Sequence, residues 1–277
     1  MTPERYCAQK AAGSGSSFYY SFLFLPPEKR RAITALYAFC REVDDIVDEC
    51  SDANLARTKL AWWRGEINAL FKGAAQHPVT RALTPAVRAF ELPETYFHEI
   101  IDGMEMDLVK NRYASFEELK LYCHRVAGVV GLMAAEIFGR TQMQTLDYAE
   151  FLGTAFQLTN IIRDVGEDAR RDRIYIPLDD LLQFKVDASE ILQGRDSDRF
   201  RNLIHHQIER AREYYSRAFA ALPARDRRAQ RPGLVMAGIY QALLNDIATG
   251  RIDVLRTRAT MAPIRKLWIA WRTWVKG

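Results

Sequence analysis

Apolar residues recur at three- and four-residue spacings along nearly all of this chain, and no stretch alternates strictly as a half-buried strand would. The pattern predicts helices at roughly 28–50, 52–72, 79–91, 93–110, 115–139, 144–169, 196–221, 232–250 and 263–275. Stop and start signals punctuate it. Pro26-Pro27 precedes the first of these helices, with Glu28 in its first turn where the helix dipole favours an anion. Pro93 opens another, Ser115 followed by Glu118 reads as a capping box, and Ile174-Tyr175-Ile176-Pro177 ends the helix before it. The charged loop from Arg225 to Gly233 is the nearest thing to a linker and sits too late to divide the chain. The expectation is one all-α domain over residues 1–277.

Composition narrows the picture. The chain has 277 residues, 48% of them hydrophobic, enough for a large core. A balance of 39 basic against 35 acidic residues is too even to point to nucleic acid. No apolar signal region follows Met1-Thr2-Pro3-Glu4-Arg5, and the apolar run from Phe18 to Leu25 is too short to cross a bilayer. The chain therefore reads as cytoplasmic, with peripheral contact at the inner membrane left open. Cys7, Cys40, Cys50 and Cys123 form no CxxC pair and read as reduced, packed thiols. The five histidines lack zinc-site spacing, so any metal would be held by oxygen.

Two clusters carry the chemistry: Asp44-Asp45-Ile46-Val47-Asp48 and Asp164-Val165-Gly166-Glu167-Asp168. In each, two aspartates four residues apart point from one helix face and repel each other. Arg41 precedes the first cluster, and Asn160 and Arg163 precede the second. Two such helices facing each other would offer four carboxylates to hard cations and, through them, to a diphosphate. Solvated acidic faces, with each arginine paired to its neighbouring aspartate, are the plain alternative. Against it, Phe39, Cys40, Val43, Ile46 and Val47 make the first helix apolar nearly all round.

Longer blocks carry a resemblance. Ser16-Ser17-Phe18-Tyr19-Tyr20, the run Ala35 to Asp45, the run Tyr122-Cys123-His124-Arg125-Val126-Ala127-Gly128-Val129-Val130-Gly131 and the run Gln157 to Asp168 resemble the squalene/phytoene synthase family. The resemblance implies an isoprenoid-synthase helical bundle around a central cavity and head-to-head condensation of two allylic prenyl diphosphates. It implies that Asp44, Asp48, Asp164 and Asp168, with Asn160, hold Mg²⁺. It places Arg41, Gln157, Asn160 and Arg163 around the diphosphates, with Ser17 and Arg258 as further binding residues. Tyr37 and Tyr240 match family tyrosines in the site. The stripe Ala127-Gly128-Val129-Val130-Gly131, with Ala134 and Ala135, either permits close helix packing or leaves room for a prenyl chain. Phe18, Phe22, Leu132, Met133 and Phe156 then stand as wall residues.

Two positions depart from the family pattern: Ser14 where many relatives carry histidine, and Arg125 where an aromatic is common. The whole-chain texture most resembles the bacterial hopanoid-pathway members that convert farnesyl diphosphate to presqualene diphosphate and pass it to a downstream enzyme. That is the product expected, with phytoene or dehydrosqualene synthesis, or squalene synthesis with a reductant, as alternatives. A non-catalytic relative serving as an assembly factor should have lost the aspartates. Finally, Arg265, Arg272 and Lys276 fall together on a helical projection of the tail, opposite Leu267, Trp268, Trp271, Trp274 and Val275. This suits either an interfacial helix or a terminal helix docked on the bundle.

Overall fold

The computed structural model describes residues 1–13, 21–22, 24–50, 52–257 and 260–276. Helix α1 covers Pro3–Gly13, and α2, Pro27–Glu49, starts with proline at its first position, where a missing N–H costs nothing. Next come α3 (Ala53–Phe71), α4 (Pro78–Ala89) and α5 (Glu94–Val109). The Asp52 side chain caps α3 by accepting from the backbone N–H of Asn54 at 2.8 Å. Helix α6 (Phe116–Cys123) runs through a single π turn, His124–Gly128, into α7 (Val129–Phe138). The long α8 (Gln144–Arg170) is followed by the short α9 (Leu178–Gln183) and α10 (Ala188–Leu192). Helices α11 (Asp198–Ala221), α12 (Arg231–Ala248) and α13 (Pro263–Lys276) complete the bundle.

All nine expected helices are present, within a few residues at each end. The sequence pattern missed α1, whose buried face is only Cys7 and Ala11, and the short α9 and α10. The Ser115 hydroxyl caps α6 as expected, but Glu118 reaches back to the backbone N–H of Ala114 rather than to Ser115. The stretch Phe116–Phe138 is long and apolar enough to cross a membrane by length and composition. It packs inside the bundle against α5 and α8, as a core helix does.

Two apolar cores result. One gathers α2 to α5 with part of α7 around Phe39, Trp63, Phe97 and Met133. The other gathers α8, α11 and α12 around Tyr148, Tyr215, Ile208 and Val235. Between them α2 and α8 face each other, and the π turn with α7 forms a third wall. The four cysteines are free thiols; Cys7 and Cys123 are packed in the core as expected, while Cys40 and Cys50 are only partly buried.

After α8 the chain reverses through Asp172, which has a positive φ of 56°. Arg112 on the α5–α6 loop pins that reversal, donating to an Asp172 carboxylate oxygen at 2.7 Å. The backbone N–H of Ile174 bonds to the Asn111 carbonyl at 3.0 Å. This clasp holds Arg171 and Arg173 over the open end of the bundle.

Candidate active site

Along α2 the residues Ile33, Leu36, Tyr37, Cys40, Arg41, Asp44 and Asp48 form one stripe that lines a cavity of about 580 Å³. Their spacing of three and four residues keeps them on a single face. Ile33 and Asp48 are fifteen residues apart, about 22 Å along the axis. Helix α8 answers with Tyr148, Leu152, Phe156, Gln157, Asn160, Asp164 and Asp168. Each helix is therefore apolar at one end of its stripe and acidic at the other. The cavity has a charged mouth and a floor of Phe22, Ile33, Phe138 and Tyr148, and its volume suits a small-molecule site.

At the mouth, guanidinium groups cover the carboxylates. Arg41 donates to both Asp44 and Asp45. Arg163 donates through Nε to Asp164 at 2.8 Å, and its Nη2 bonds the other oxygen. Arg171 and Arg173 cross from the far side to Asp48, at 2.9 and 3.3 Å. Asp168 makes no ion pair among the described residues. Burial, and then the charge of Asp48, push Asp44 up to about 6. Burial, and then Asp164, push Asp168 up to about 8. Asn160 donates to Gln157 at 3.3 Å, while its own Oδ1 is buried without a hydrogen-bond partner. Tyr240 packs on Phe156 at 5.1 Å and bonds to Arg163.

Asp44, Asp48, Asp164, Asp168, Tyr37, Tyr240, Arg41, Gln157, Asn160, Arg163 and Phe22 thus meet at one cavity. Gly128 and Leu132 do not line it. Gly128 faces the Glu150 carboxylate on α8, where an added Cβ would lie 2.8 Å from its oxygens. Leu132 packs against the α8 core, and Met133 is fully buried in the other one. Of the small stripe, Ala127, Gly131, Ala134 and Ala135 do line the cavity. Arg125 points its Nη1 at the Met106 sulfur, 3.5 Å away, and is not part of the lining. Ser14, Ser17, Phe18 and Arg258 lie outside the described residues.

Other residues of the site escaped the sequence reading. Asp107 of α5 lines the cavity and accepts from the hydroxyls of Tyr122 at 2.8 Å and Tyr175 at 2.9 Å. Burial pushes it up to about 6, although the Tyr122 hydrogen bond opposes the shift. The available signal was an acid that follows Ile100, Gly103 and Met104 on an otherwise apolar helix face. Lys266 on α13 also lines the cavity; burial, and then the charge of Arg163, lower its pKa. Nothing in local spacing connects it to the aspartates, almost a hundred residues earlier.

Among the described residues, no three His, Cys, Asp or Glu side chains form a ready cage for a metal ion. The donors nevertheless fit a hard divalent cation that keeps several waters. They are all oxygens, they come as carboxylate pairs on facing helices, and Asn160 holds an unpartnered buried oxygen among them. Burial first, and repulsion within each aspartate pair second, raise the Asp44 and Asp168 carboxyls, and a bound cation would offset both.

Comparison with known proteins agrees with this geometry. The chain is 37% identical to a 15-cis-phytoene synthase of Synechocystis, over 98% of this chain and 84% of that protein. It is 37% identical to a phytoene synthase of Arthrospira platensis, over 94% and 89%. A crystal structure of a dehydrosqualene synthase in complex with ligand superposes with a TM-score of 0.87 at 26% identity, covering 99% of this chain and 96% of that one. The expectation of a hopanoid-pathway enzyme that stops at presqualene diphosphate is therefore corrected. Relatives alike over almost the whole chain carry the name phytoene synthase, the reading held above only as an alternative. The fold is the expected helical isoprenoid-synthase bundle, and the family's substrates are prenyl diphosphates. With the squalene/phytoene synthase family matching residues 11–265, this chain belongs to that family of prenyltransferases.

Proposed function

We propose that the protein joins two geranylgeranyl diphosphates head to head and carries the product to phytoene. The observation that carries the chemistry is the continuity of one cavity from a mouth of aspartates and arginines to an apolar floor. The likeness to phytoene synthases supports the longer substrate in place of farnesyl diphosphate. The overall reaction releases two diphosphates and two protons and needs no reductant.

Asp44, Asp48, Asp164 and Asp168, with Asn160 Oδ1, would hold Mg²⁺. When bound, the ion neutralises charge on the leaving diphosphate and so favours ionisation of the allylic donor. The chain's own residues do the rest. Arg41, Arg163, Arg171 and Arg173 already bracket the mouth, and exchanging carboxylate for diphosphate oxygens keeps their planar forks satisfied. Below them Tyr37, Phe156 and Tyr240 place aromatic rings along the cavity, where ring faces favour a cation and exclude water. Asp107, held between the Tyr122 and Tyr175 hydroxyls, is placed to keep or accept a proton inside the wall.

The test is a product assay with purified protein and Mg²⁺, without reductant, comparing farnesyl and geranylgeranyl diphosphates by mass spectrometry. Phytoene from the longer substrate is the expected result. A dominant thirty-carbon product would overturn the substrate assignment, and no turnover of either substrate would overturn the enzymatic reading.

A further inference from the structure

Helix α13 has two apolar faces, and the bundle uses only one. On the inner face Ala270 is fully buried, and Ile269 and Thr273 lie against Gly238 of α12. A Cβ at Gly238 would come within 3.1 Å of Ile269, so the glycine lets the helices meet closely. Trp274 also turns inward, against Phe24 at 5.1 Å, unlike the other tail tryptophans with which the sequence projection grouped it. Arg265 fastens the start of α13 to Asp246 of α12.

The outer face carries Ile264, Leu267, Trp268, Trp271 and Val275. Their spacing of three, four, seven and eleven residues sets them within a stripe about 100° wide. Trp268 is 54% exposed, Trp271 58% and Ile264 76%, so this stripe points into solvent. A tryptophan-rich stripe left outside a bundle that has already satisfied its core needs another explanation. Every charged residue of α13 is basic. Arg272 flanks the stripe, with its guanidinium 5.2 Å from the Trp268 ring centre.

We propose that this outer face of α13 is a docking surface for the headgroup region of an anionic lipid bilayer. Tryptophan rings at headgroup depth, an apolar stripe along one side and cations beside it are what an interfacial helix requires. Charge complementarity favours an anionic surface. A second copy of the chain fits less well. One face of a helix about 21 Å long and about 10 Å wide offers a few hundred Å². That falls short of the roughly 800 Å² per partner of a stable interface. The position is apt as well: Thr260 and Met261, just before the same helix, and Lys266 in its first turn line the cavity. Docking would bring the cavity close to the phase in which long prenyl chains dissolve.

The experiment is co-sedimentation of the full chain with vesicles of phosphatidylcholine alone and of an equal mixture with phosphatidylglycerol. Binding should favour the anionic vesicles and weaken as salt rises. The double variant Trp268→Ser/Trp271→Ser should lower the partition coefficient by at least about tenfold, because binding scales with the apolar area inserted. Both residues are solvent-exposed and lie outside the cavity. Far-ultraviolet circular dichroism of the variant should be unchanged, and tryptophan emission of the wild-type chain should shift blue on vesicles. Equal binding by variant and wild type, or no binding to anionic vesicles, would overturn the proposal. So would sedimentation velocity showing that the double substitution dissolves a dimer. None of these readouts depends on which hydrocarbon the enzyme makes.

Discussion

On α2, Arg41 lies within the turn that precedes its acidic cluster and takes Asp44 and Asp45, while Arg171 and Arg173 reach across to Asp48. On α8, Arg163 is committed to Asp164, and Asp168 faces Asp164 across one turn with no ion pair among the described residues. The spacing of aspartates is the same; the charge is not. Asp44 rises to about 6 and is largely ionised at neutral pH, whereas Asp168 rises to about 8 and retains its proton. The contrast teaches that a repeated motif fixes where carboxylates point, while burial and the placing of guanidinium groups around each one fix whether it is charged. In the metal-free protein the α2 half is negative and compensated, and the α8 half is partly neutral.

The strongest way to break the comparison is to remove one carboxylate from each half. Asp44→Asn and Asp164→Asn should each lower kcat/KM by at least about a thousandfold, or about 4 kcal/mol of transition-state stabilisation. If either variant kept most of its activity in a steady-state assay, the two clusters would not form one site.

The charge contrast itself is tested by Asp168→Asn. Because the folded pKa of Asp168 is raised, the native state holds a proton that the unfolded chain releases near pH 4. The metal-free protein should therefore lose stability as pH rises from that point through about 8, and level off above. The amide variant should lack this slope and gain about 1–3 kcal/mol at the alkaline end, read from urea melts across the window. Identical slopes would assign the proton elsewhere. Mg²⁺ added to the wild-type chain near neutral pH should release a proton, which a weakly buffered titration detects.

A third acidic pair sharpens the lesson. Behind the same wall, His124 bridges Glu150 at 2.7 Å and Glu99 at 3.1 Å. The Glu150 hydrogen bond is the main cause of its raised pKa, with both glutamate charges adding and burial opposing. Here the proton sits on the bridge rather than on a carboxylate. Its contribution is fully present below the unfolded histidine value, about 6.5, and is lost as pH rises through the higher folded value. His124→Gln should cost about 1–2 kcal/mol in acid and little in alkali, by thermal melts at both ends. A pH-independent cost would mean that the ring acts only by packing.

The smallest effect is expected at the rim. Arg171→Ala removes a half-exposed pair with Asp48 and should change stability by less than about 1 kcal/mol. It should raise KM for the prenyl diphosphate a few-fold with little change in kcat. A large fall in kcat instead would move Arg171 from holding the diphosphate to the chemical step.

Much of this was legible in the sequence, for a physical reason. Helical periodicity and proline stops are local, so α2 and α8 could be placed to within a few residues, with their carboxylates on one face. Arg41 and Arg163 were legible because they share a turn with those aspartates. Asp107, Tyr175 and Lys266 were not, because each reaches the cavity through tertiary packing: α5 against α2 and the π turn, the clasp at Asp172, and the docking of α13 on Gly238. The first product reading failed differently. On the proposed function the aspartates serve ionisation of a diphosphate, whereas the room for hydrocarbon below them depends on a wall whose register the local pattern did not predict.

That register has an arithmetic of its own. An unbroken α-helix continuing from Tyr122 would bring Val129 and Met133 round to the cavity, seven and eleven residues on. The π turn at 124–128 spends one extra residue, so Val130 and Ala134 take those places while Val129 and Met133 go to the core. The turn therefore works as a frame marker for everything downstream of it. Deleting a single residue within it would close the backbone into regular α-helix and leave α7 in place, because Val130 and Ala134 would then stand seven and eleven residues after Tyr122. Straightening the turn with every residue kept would instead rotate α7 by about 100° and exchange the small-residue wall for a bulky one, with no side chain at the mouth altered.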